Sequence, residues 1–359
     1  MSLGLENISK RVGAEVHIHP TTLTLVRGTM NVLLGPTLSG KTTLMRLMAG
    51  LDQPTEGRVL WDGEDVTGAR VQSRDVSMVY QQFINYPGMT VYDNIASPLR
   101  LQGVARAEID SRVRAAADLM KLSEAQLGRK PLELSGGQQQ RCALARALVK
   151  EAGLVLLDEP LANLDYKLRE ELRAEIPKIF EASGAIFVYA TTEPHEALLL
   201  GGSTACLWEG RITQFGPTPQ VYRQPADAVT ARVFSDPPMN FCRIEKRGDL
   251  VSYAGGTAKA FEGLADGTYL AGFRPNHLSL GAHRPDAMDF ACEVIGTEIT
   301  GSESYVHVTH GTDRWVALIH GVHDLPGGEQ RTLWVDPAHV YLFGEDESLI
   351  SAAAYAEAA

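Results

Sequence analysis

The sequence predicts an α/β domain followed by a small all-β barrel domain. The first observation is a short apolar strand at 32–34 that runs into a Gly-rich loop and then a helix. The second is that apolar runs at 154–157 and 185–189 alternate with helical patterns, as in a parallel sheet covered on both faces. The third is a change beyond residue 240 to short strands separated by Gly, Asp and Asn turns. In such a sheet, ligands are expected at the carboxyl ends of the strands.

The elements of the first domain are predicted in a fixed order along the chain. Alternating apolar and polar residues predict antiparallel strands at 3–8, 15–19 and 22–26, with a break around Pro20 between the last two, and further strands are predicted at 57–61 and 76–80. A helical pattern extends from Thr90 to Glu151, and a long polar helix is predicted from Leu164 to Ala182.

The second domain begins where tandem prolines follow Ser235. Alternation predicts strands at 269–273, 291–295, 304–308, 315–319 and 339–343, which is typical of a small barrel. The predicted domains are residues 1–235, with a helical subdomain at about 85–150, and residues 236–359.

The composition is that of an ordinary globular protein. The 359 residues are 44% hydrophobic and 21% charged, and the net charge is −11 without a long Lys/Arg block, so nucleic acid is not an expected partner. The four cysteines form no Cys-x-x-Cys pair, which fits a reducing cytosol better than disulfides or a zinc site. No apolar run approaches the roughly 18 residues of a membrane span. Any membrane role is therefore expected to depend on partners.

The loop after the strand at 32–34 matches the phosphate-binding pattern G-x-x-x-x-G-K-[ST]. Gly35 and Gly40 would let successive N–H groups surround phosphate oxygens, and the next helix adds its positive end. Lys41 would reach the β- and γ-phosphates, and Thr42 would ligate Mg²⁺. A chance match is disfavoured by the strand before the loop and the helical spacing after it. The predicted binding residues are Gly35, Pro36, Thr37, Leu38, Ser39, Gly40, Lys41, Thr42 and Thr43.

Two carboxylates follow the apolar strand at 154–157. Asp158 at the strand tip would bind Mg²⁺ opposite Thr42, and Glu159 would orient or deprotonate the attacking water. An Asp-Glu pair alone also fits a solvated turn, but the nearby phosphate loop favours the metal site.

A further motif opens a helix at Ser135. Ser135 is suited to cap the helix, and Gly136 and Gly137 would let a phosphate approach its free N–H groups, with Gln138 beside them. An ordinary Gly-containing helix start is the alternative for this motif alone.

The motifs together resemble the ATP-binding cassette (ABC) ATPases. The sequence contains five motifs in the order in which that family has them: the phosphate loop, Gln81 after a strand, Leu134–Gln138 (LSGGQ), Leu156–Pro160 (LLDEP) and Leu161–Asp165 (LANLD). The resemblance covers about residues 1–235. The remainder is similar to the oligobinding-type regulatory domain of importer ATPases for carbohydrates and polyols, through residues 272–278, 296–305 and 340–344.

The resemblance implies ATP and Mg²⁺ as cofactors and a head-to-tail dimer. The phosphate loop, Gln81, Asp158 and Glu159 would serve the chain's own nucleotide, with Thr42, Gln81 and Asp158 at the metal. Across the dimer, Ser135, Gly136, Gly137, Gln138 and Asp165 would contact the partner's nucleotide. The implied partners are a second ATPase subunit, two integral-membrane permeases and, indirectly, a substrate-binding protein. The chain would then lie on the cytoplasmic face of the inner or plasma membrane.

Three positions depart from the family pattern. Val12 stands where an aromatic residue usually stacks on adenine, and Leu38 stands where Gly or Ala is common. Thr192 takes the catalytic place of a histidine that contacts the γ-phosphate. His195 follows three residues later. An offset of about one helical turn changes the direction and reach of its side chain, which disfavours it as a substitute for the missing histidine.

These departures lead to the hypothesis of an unequal pair. The chain's own site would bind ATP but hydrolyse it slowly, while its LSGGQ segment completes a site on a non-identical sister subunit. The alternatives are a structural or regulatory nucleotide-binding subunit with little turnover, and a soluble ABC ATPase acting on DNA or ribosomes. The short span from Lys41 to Ser135 and the negative charge disfavour the soluble class. The transported substrate is expected to be a carbohydrate or a glycerol-like polyol.

Overall fold

The structure is a computed structural model that describes residues 2–82, 84–162, 164–254, 256–259, 261, 263–282 and 284–354. It contains two compact units, Met1–Ile212 and Thr213–Ala359. The boundary expected between residues 235 and 236 falls inside the second unit, so the extents of the functional domains stay a prediction.

The first unit is built around two β-sheets. One has the strand order β2-β1-β4-β5 and the other the order β10-β9-β3-β8-β7-β6. Their strands are β1 (Ser2–Val12), β2 (Glu15–Val26), β3 (Met30–Leu34), β4 (Glu56–Trp61), β5 (Glu64–Asp65), β6 (Val76–Val79), β7 (Leu154–Asp158), β8 (Ile186–Thr191), β9 (Ser203–Trp208) and β10 (Arg211–Pro217), of which β10 extends past the boundary at Ile212.

β2 is a single strand where the sequence indicated two. It runs through Pro20 without interruption. β2 lies at the edge of its sheet, and an edge strand tolerates a residue without an N–H donor. The alternating pattern was therefore correct on both sides of Pro20, and only the expected break was wrong.

The larger sheet aligns the ends of its central strands. β6, β7, β8, β3 and β9 pair in parallel, with Leu34 opposite Thr191 and Asp158 opposite Ala190. β3, β7 and β8 are buried along their whole length, as their continuous apolar sequences predict. The residues that follow β3, β7 and β8 consequently lie at one edge of the sheet.

Helices connect these strands, and three of them form a helical group. α2, α3 and α5 contact one another, within the stretch that the sequence predicted to be helical. The helices are α1 (Lys41–Ala49), α2 (Val91–Leu101), α3 (Arg106–Leu119), α4 (Glu124–Leu127), α5 (Gly136–Leu148), α6 (Tyr166–Ser183) and α7 (Pro194–Leu200).

The second unit contains a small, nearly closed β-barrel preceded by α8 (Thr218–Arg223) and α9 (Ala228–Val233). Its two sheets have the orders β13-β12-β11-β14-β20-β21 and β15-β19-β16-β17-β18. The strands are β11 (Asn240–Arg247), β12 (Leu250–Tyr253), β13 (Gly256–Lys259), β14 (Gly267–Phe273), β15 (Leu278–Ser279), β16 (Met288–Ile299), β17 (Glu303–His310), β18 (Asp313–His320), β19 (Gln330–Val335), β20 (Tyr341–Phe343) and β21 (Leu349–Ser351).

An aromatic cluster fills the barrel core. Phe290 lies 5.0 Å from Trp315 and 5.6 Å from Phe273 between ring centroids, and all three are buried. Most of the predicted strands of this unit are present. The strand predicted at 339–343 begins only at Tyr341, because Pro337 starts a 3₁₀ turn that Asp336 caps. Phe273 and Trp315 thus have a packing role.

Two further expectations concern the chain as a whole. All four cysteines are buried free thiols, and burial raises the pKa of Cys142 to about 12. Over the described residues, no helix combines the length and apolar character needed to cross a bilayer. The Ala-rich sequence after Ser351 predicts a short helix or a frayed tail, and residues 355–359 of this segment are outside the described residues.

Candidate functional site

The loop between β3 and α1 is held against the neighbouring strands. The Gly35 N–H donates to the Thr191 carbonyl at 3.3 Å, so the loop begins beside the end of β8. A Cβ on Gly35 would lie 2.4 Å from the Leu207 carbonyl oxygen. Gly40 has φ of 103°, and a Cβ there would lie 2.8 Å from Ile18 Cδ1. Both glycines are therefore required by close packing, and Gly40 also by its backbone conformation.

Lys41 is the buried cation of this loop. Its side chain is 4% exposed, and Nζ donates to the carbonyls of Gly35 at 2.7 Å and Pro36 at 2.9 Å. The same Nζ lies 3.6 Å from Glu159 Oε1. Burial lowers the pKa of Lys41, and Glu159 and then Asp158 oppose that shift. The carbonyls and carboxylate hold the ammonium where the loop would receive an anion.

Thr42 and Asp158 meet across the loop. The Thr42 hydroxyl donates to Asp158 Oδ2 at 2.8 Å, and Asp158 is 3% exposed at the end of β7. Burial raises the pKa of Asp158, and the repulsive charge of Glu159 adds to the rise, while the Thr42 hydrogen bond and Lys41 oppose it. The carboxylate is therefore held at a cost in solvation, which a bound cation would offset.

Glu159 follows Asp158 and faces a different partner. It has φ of 45°, and its N–H donates to the Ala190 carbonyl at 3.0 Å. Glu159 Oε2 accepts a hydrogen bond from Gln81 Nε2 at 2.9 Å. The structure thus brings together the end of β6, the end of β7 and the loop. Glu159 itself lies between Lys41 and Gln81.

Most of these residues line a cleft of about 700 Å³, within the size range of a ligand pocket, whereas Gly35 and Asp158 are not part of its described lining. Motif reasoning predicted one part of its wall, which contains Thr37, Leu38, Gly40, Lys41, Thr42 and Thr43 together with Gln81 and Glu159. It missed the other part, which contains Glu15, Val16, His17, Glu209 and Gly210. No sequence motif marks the second group, because strand pairing and a turn bring it to the loop.

Leu38 is the unusual residue of the loop. It adopts φ of 68° and its side chain is 96% exposed. Left-handed backbone is unfavourable for a γ-branched residue, so the packing of the rest of the loop must maintain it. The side chain projects into solvent and needs no space inside the loop, which explains how this position tolerates leucine.

The LSGGQ segment lies at the start of a different helix. Ser135 caps α5: its Oγ accepts from the Gln138 N–H at 3.4 Å, and Gln138 Oε1 accepts from the Ser135 N–H at 3.1 Å. Ser135 and Gly136 are exposed. None of the four residues from Ser135 to Gln138, all of them described, lines the cleft of the same chain. Asp165 is likewise exposed, just before α6, and Asn163 of the LANLD motif is outside the described residues.

Thr192 is exposed directly after β8, the strand that lies between β3 and β7. It is absent from the residues that line the cleft, in the part of the chain that the structure describes. His195 is exposed in the first turn of α7, whose first residue is Pro194, as the sequence predicted.

A buried polar cluster that the sequence did not reveal anchors the segment around Thr192. Glu196, which is 4% exposed, accepts from the Thr191 hydroxyl at 2.6 Å and the Tyr189 hydroxyl at 3.1 Å. It also pairs with Arg173 of α6 at 3.2 Å. Burial raises the pKa of Tyr189 well above its usual value. The helix after Asp165 is thereby tied to the end of β8.

Comparison with known families and proteins gives consistent matches. A family profile described as ABC transporter matches residues 18–162, and one described as TOBE domain matches residues 271–343. YurJ of Bacillus subtilis (strain 168), an uncharacterized ABC transporter ATP-binding protein, is 35% identical over 95% of this chain and 97% of its own. The sn-glycerol-3-phosphate import ATP-binding protein UgpC 3 of Rhizobium etli is 38% identical over 86% of this chain and 87% of its own.

Solved structures share the fold of about 60% of the chain. The dimeric structure of MJ0796, a bacterial ABC transporter cassette, superposes with a TM-score of 0.56 at 28% identity, over 60% of this chain and 98% of the cassette. A structure of the same cassette in a post-hydrolysis state, bound to ADP and Pi, gives a TM-score of 0.55.

Asp158→Asn is expected to stabilise the ligand-free protein at neutral pH by about 1 kcal/mol. Because burial raises the pKa of Asp158, its contribution to stability is fully present below the usual Asp range and is lost as pH rises through the raised value. The variant should therefore also show a smaller loss of stability between acidic and neutral pH. Urea unfolding at several pH values measures both effects.

The exposed Asp118 of α3 provides the matched control, and Asp118→Asn should leave the stability nearly unchanged. A lower stability of Asp158→Asn at neutral pH would contradict the proposed cost of burying this carboxylate.

Proposed function

The chain belongs to the ABC transporter family, and on that premise we propose that it binds and hydrolyses ATP to energise an importer for a carbohydrate or polyol. ATPase activity follows from membership of this family, and the similar cassette solved in a post-hydrolysis state with ADP and Pi supports it. The importer substrate and the partners described below are the proposed part.

The arrangement of Lys41, Thr42, Asp158 and Glu159 is the observation that carries this function. A buried ammonium at the loop supplies positive charge for phosphates. A hydroxyl and a carboxylate 2.8 Å apart supply the hard oxygen ligands that Mg²⁺ prefers. A second carboxylate lies next to the ammonium and can act on a water molecule. These are the components that phosphoryl transfer to water requires.

Mg²⁺ fits this chain because the donors at the cleft are oxygen atoms and few in number. Thr42, Asp158 and Gln81 are its proposed protein ligands, and substrate phosphates would provide others. The ion would neutralise charge on the β- and γ-phosphates when bound. The desolvated carboxylate of Asp158 supports this proposal, since a cation would remove the cost of its burial.

Glu159 is the proposed catalytic base, or the residue that orients the attacking water. Its carboxylate lies between Lys41 and Gln81, and β7 sets its position. Thr192 is proposed for the catalytic place where the family has a histidine, because it follows the strand beside the loop. Its hydroxyl is neutral at physiological pH, so it would stabilise phosphate charge less strongly than an imidazolium.

Two chains are proposed to form head-to-tail sites. Ser135, Gly136, Gly137 and Gln138 lie at an exposed helix start outside their own cleft, which suits contact with a phosphate bound to another chain. Asp165 is proposed for the same cross-dimer contact. The dimeric cassette among the solved neighbours supports two-chain assembly. The departures at Val12 and Thr192 support the narrower proposal that the second ATPase chain is non-identical.

The proposed membrane partners are two permeases that dock beside Gln81. Ile84, Tyr86 and Met89 are large apolar residues with 57%, 49% and 41% exposure. Ile84 and Tyr86 line a hollow of about 290 Å³, where the Arg146 guanidinium lies 4.9 Å over the Tyr86 ring. An exposed apolar patch of this kind is typical of a protein interface. Because Gln81 contacts Glu159, nucleotide turnover can move this surface.

This docking would place the chain at the cytoplasmic face of the membrane. A substrate-binding protein would take part indirectly, through the permeases. The net charge of −11 gives no support to a nucleic-acid partner or to the soluble ATPase alternative.

Glu159→Gln is expected to reduce ATP hydrolysis by about 100-fold or more while ATP binding persists, since a general base contributes about 10² to 10⁴. Thr192→His should raise hydrolysis several-fold if the missing imidazole limits the rate. Phosphate release by the purified chain and its transporter complex measures both. His195→Ala is the control and should leave the rate unchanged. Wild-type turnover by the transporter complex carrying Glu159→Gln would favour the structural alternative, in which the chain's own site does not hydrolyse ATP.

Mixing two inactive variants tests the head-to-tail arrangement. Lys41→Ala disables a chain's own site, and Ser135→Arg disables the site it completes on its partner. If identical chains pair, an equal mixture should recover about a quarter of the wild-type activity, because half of the dimers carry one intact site. Sites contained within one chain would give no recovery.

Native mass measurement of the complex with its permeases decides the pairing. One copy of this chain beside a different ATPase chain is the expected composition. Two copies and no second ATPase would exclude the unequal pair while leaving the importer function intact.

The substrate class is tested by reconstituting the complete transporter in vesicles. ATP-dependent uptake of sn-glycerol 3-phosphate or a related polyol or carbohydrate is expected, because relatives with that named activity share most of this chain. The complex carrying both Glu159→Gln and Ser135→Arg is the matched control and should show no uptake above background, because these changes disable the chain's own site and the site that it completes on its partner. Uptake of amino acids or metal ions, with none of polyols or sugars, would contradict the proposed class.

A further inference from the structure

The nucleotide cleft extends well beyond the phosphate loop. Glu159 follows β7, whereas Glu209 and Gly210 follow β9, three strand positions away in the order β9-β3-β8-β7. At about 4.8 Å per strand, this separation is about 14 Å. The β9 end of the cleft is therefore remote from Glu159, the proposed catalytic carboxylate. A nucleoside triphosphate bound to the loop would place its base at that end.

His17 is the side chain suited to contact a base there. It lines the cleft, and it carries the one aromatic ring among the described residues that do so. Its side chain is 37% exposed, so part of the ring is accessible to a ligand, and its Nε2 lies 3.6 Å from Glu15 Oε2. Val12 is aliphatic, 53% exposed and not part of the described lining. It offers no ring for stacking.

The backbone holds His17 in a defined position relative to the phosphate loop. Its carbonyl oxygen would lie 3.1 Å from a Cβ on Gly40 and 2.5 Å from one on Gly210, so these three segments pack without space for a side chain. The His19 N–H donates to the Gly210 carbonyl at 2.9 Å, and the Gly210 N–H donates to the Ser39 carbonyl at 3.0 Å. The ring is therefore carried on a rigid support next to the loop, as a preorganised binding group requires.

We propose that His17 is the base-stacking residue of this site and that adenine packs on the face of its imidazole. This inference rests on the proposed function, because it requires a nucleotide on the phosphate loop. Stacking between a base and a side-chain ring is sequence-tolerant and needs only an accessible face. His17 would thus set the affinity for the nucleoside part, separately from the affinity that Lys41 and the loop provide for phosphate.

The test compares ATP with inorganic tripolyphosphate, which has phosphates but no base. Binding of each to the full chain is measured by calorimetry in the presence of Mg²⁺. His17→Ala and His17→Gln should weaken ATP binding about tenfold, within the range for loss of one base–ring contact. His17→Phe should retain the affinity, because it keeps a ring. Tripolyphosphate should bind all variants and the wild type equally.

His19 provides a matched control, since it lies two residues further along the same strand and outside the described cleft lining. His19→Ala should bind ATP like the wild type. Unchanged ATP affinity in His17→Ala would overturn the inference, as would an equal loss for ATP and tripolyphosphate. Failure of the wild-type chain to bind ATP at all would instead contradict the proposed function.

Discussion

Parallel pairing of β3, β8 and β7 brings three strand ends to one edge of the central sheet, and each end supplies a different part of the site. β3 leads into the phosphate loop, and β7 ends at the two carboxylates. β8 lies between them and accepts hydrogen bonds from the backbone of both Gly35 and Glu159. A shift of register by one residue would move Asp158 away from Thr42 and reverse the direction of its side chain. The chemistry therefore depends on the alignment of buried apolar strands.

Charge burial is the cost of this arrangement. Lys41 and Asp158 are both almost fully buried, and burial shifts their pKa values in opposite directions, each toward the neutral form. Hydrogen bonds from Thr42 and to the loop carbonyls offset part of that cost. Such a site is stabilised further when its charged ligands bind, which links nucleotide occupancy to the stability of the surrounding loops.

Local sequence patterns predicted the parts of the site whose geometry is local. Gly35, Gly40 and Lys41 belong to one continuous turn, and Ser135 caps its helix with Gln138, so short-range spacing identifies both. The same reasoning missed Glu196 and its cluster, because its partners come from α6 and β8. It also expected a break at Pro20, since sequence alone does not say that β2 is an edge strand.

By itself the sequence determined the α/β class, the following β domain, the family and the order of the motifs along the chain. These follow from apolar periodicity and from residue types that a turn or a helix start requires. Only the tertiary structure decided which separated residues share a cleft. It placed His17 and Glu209 beside the loop, put Asp158 within hydrogen-bonding distance of Thr42, and left Ser135 outside its own site. Those relations depend on strand order and packing between distant segments, which no local pattern records.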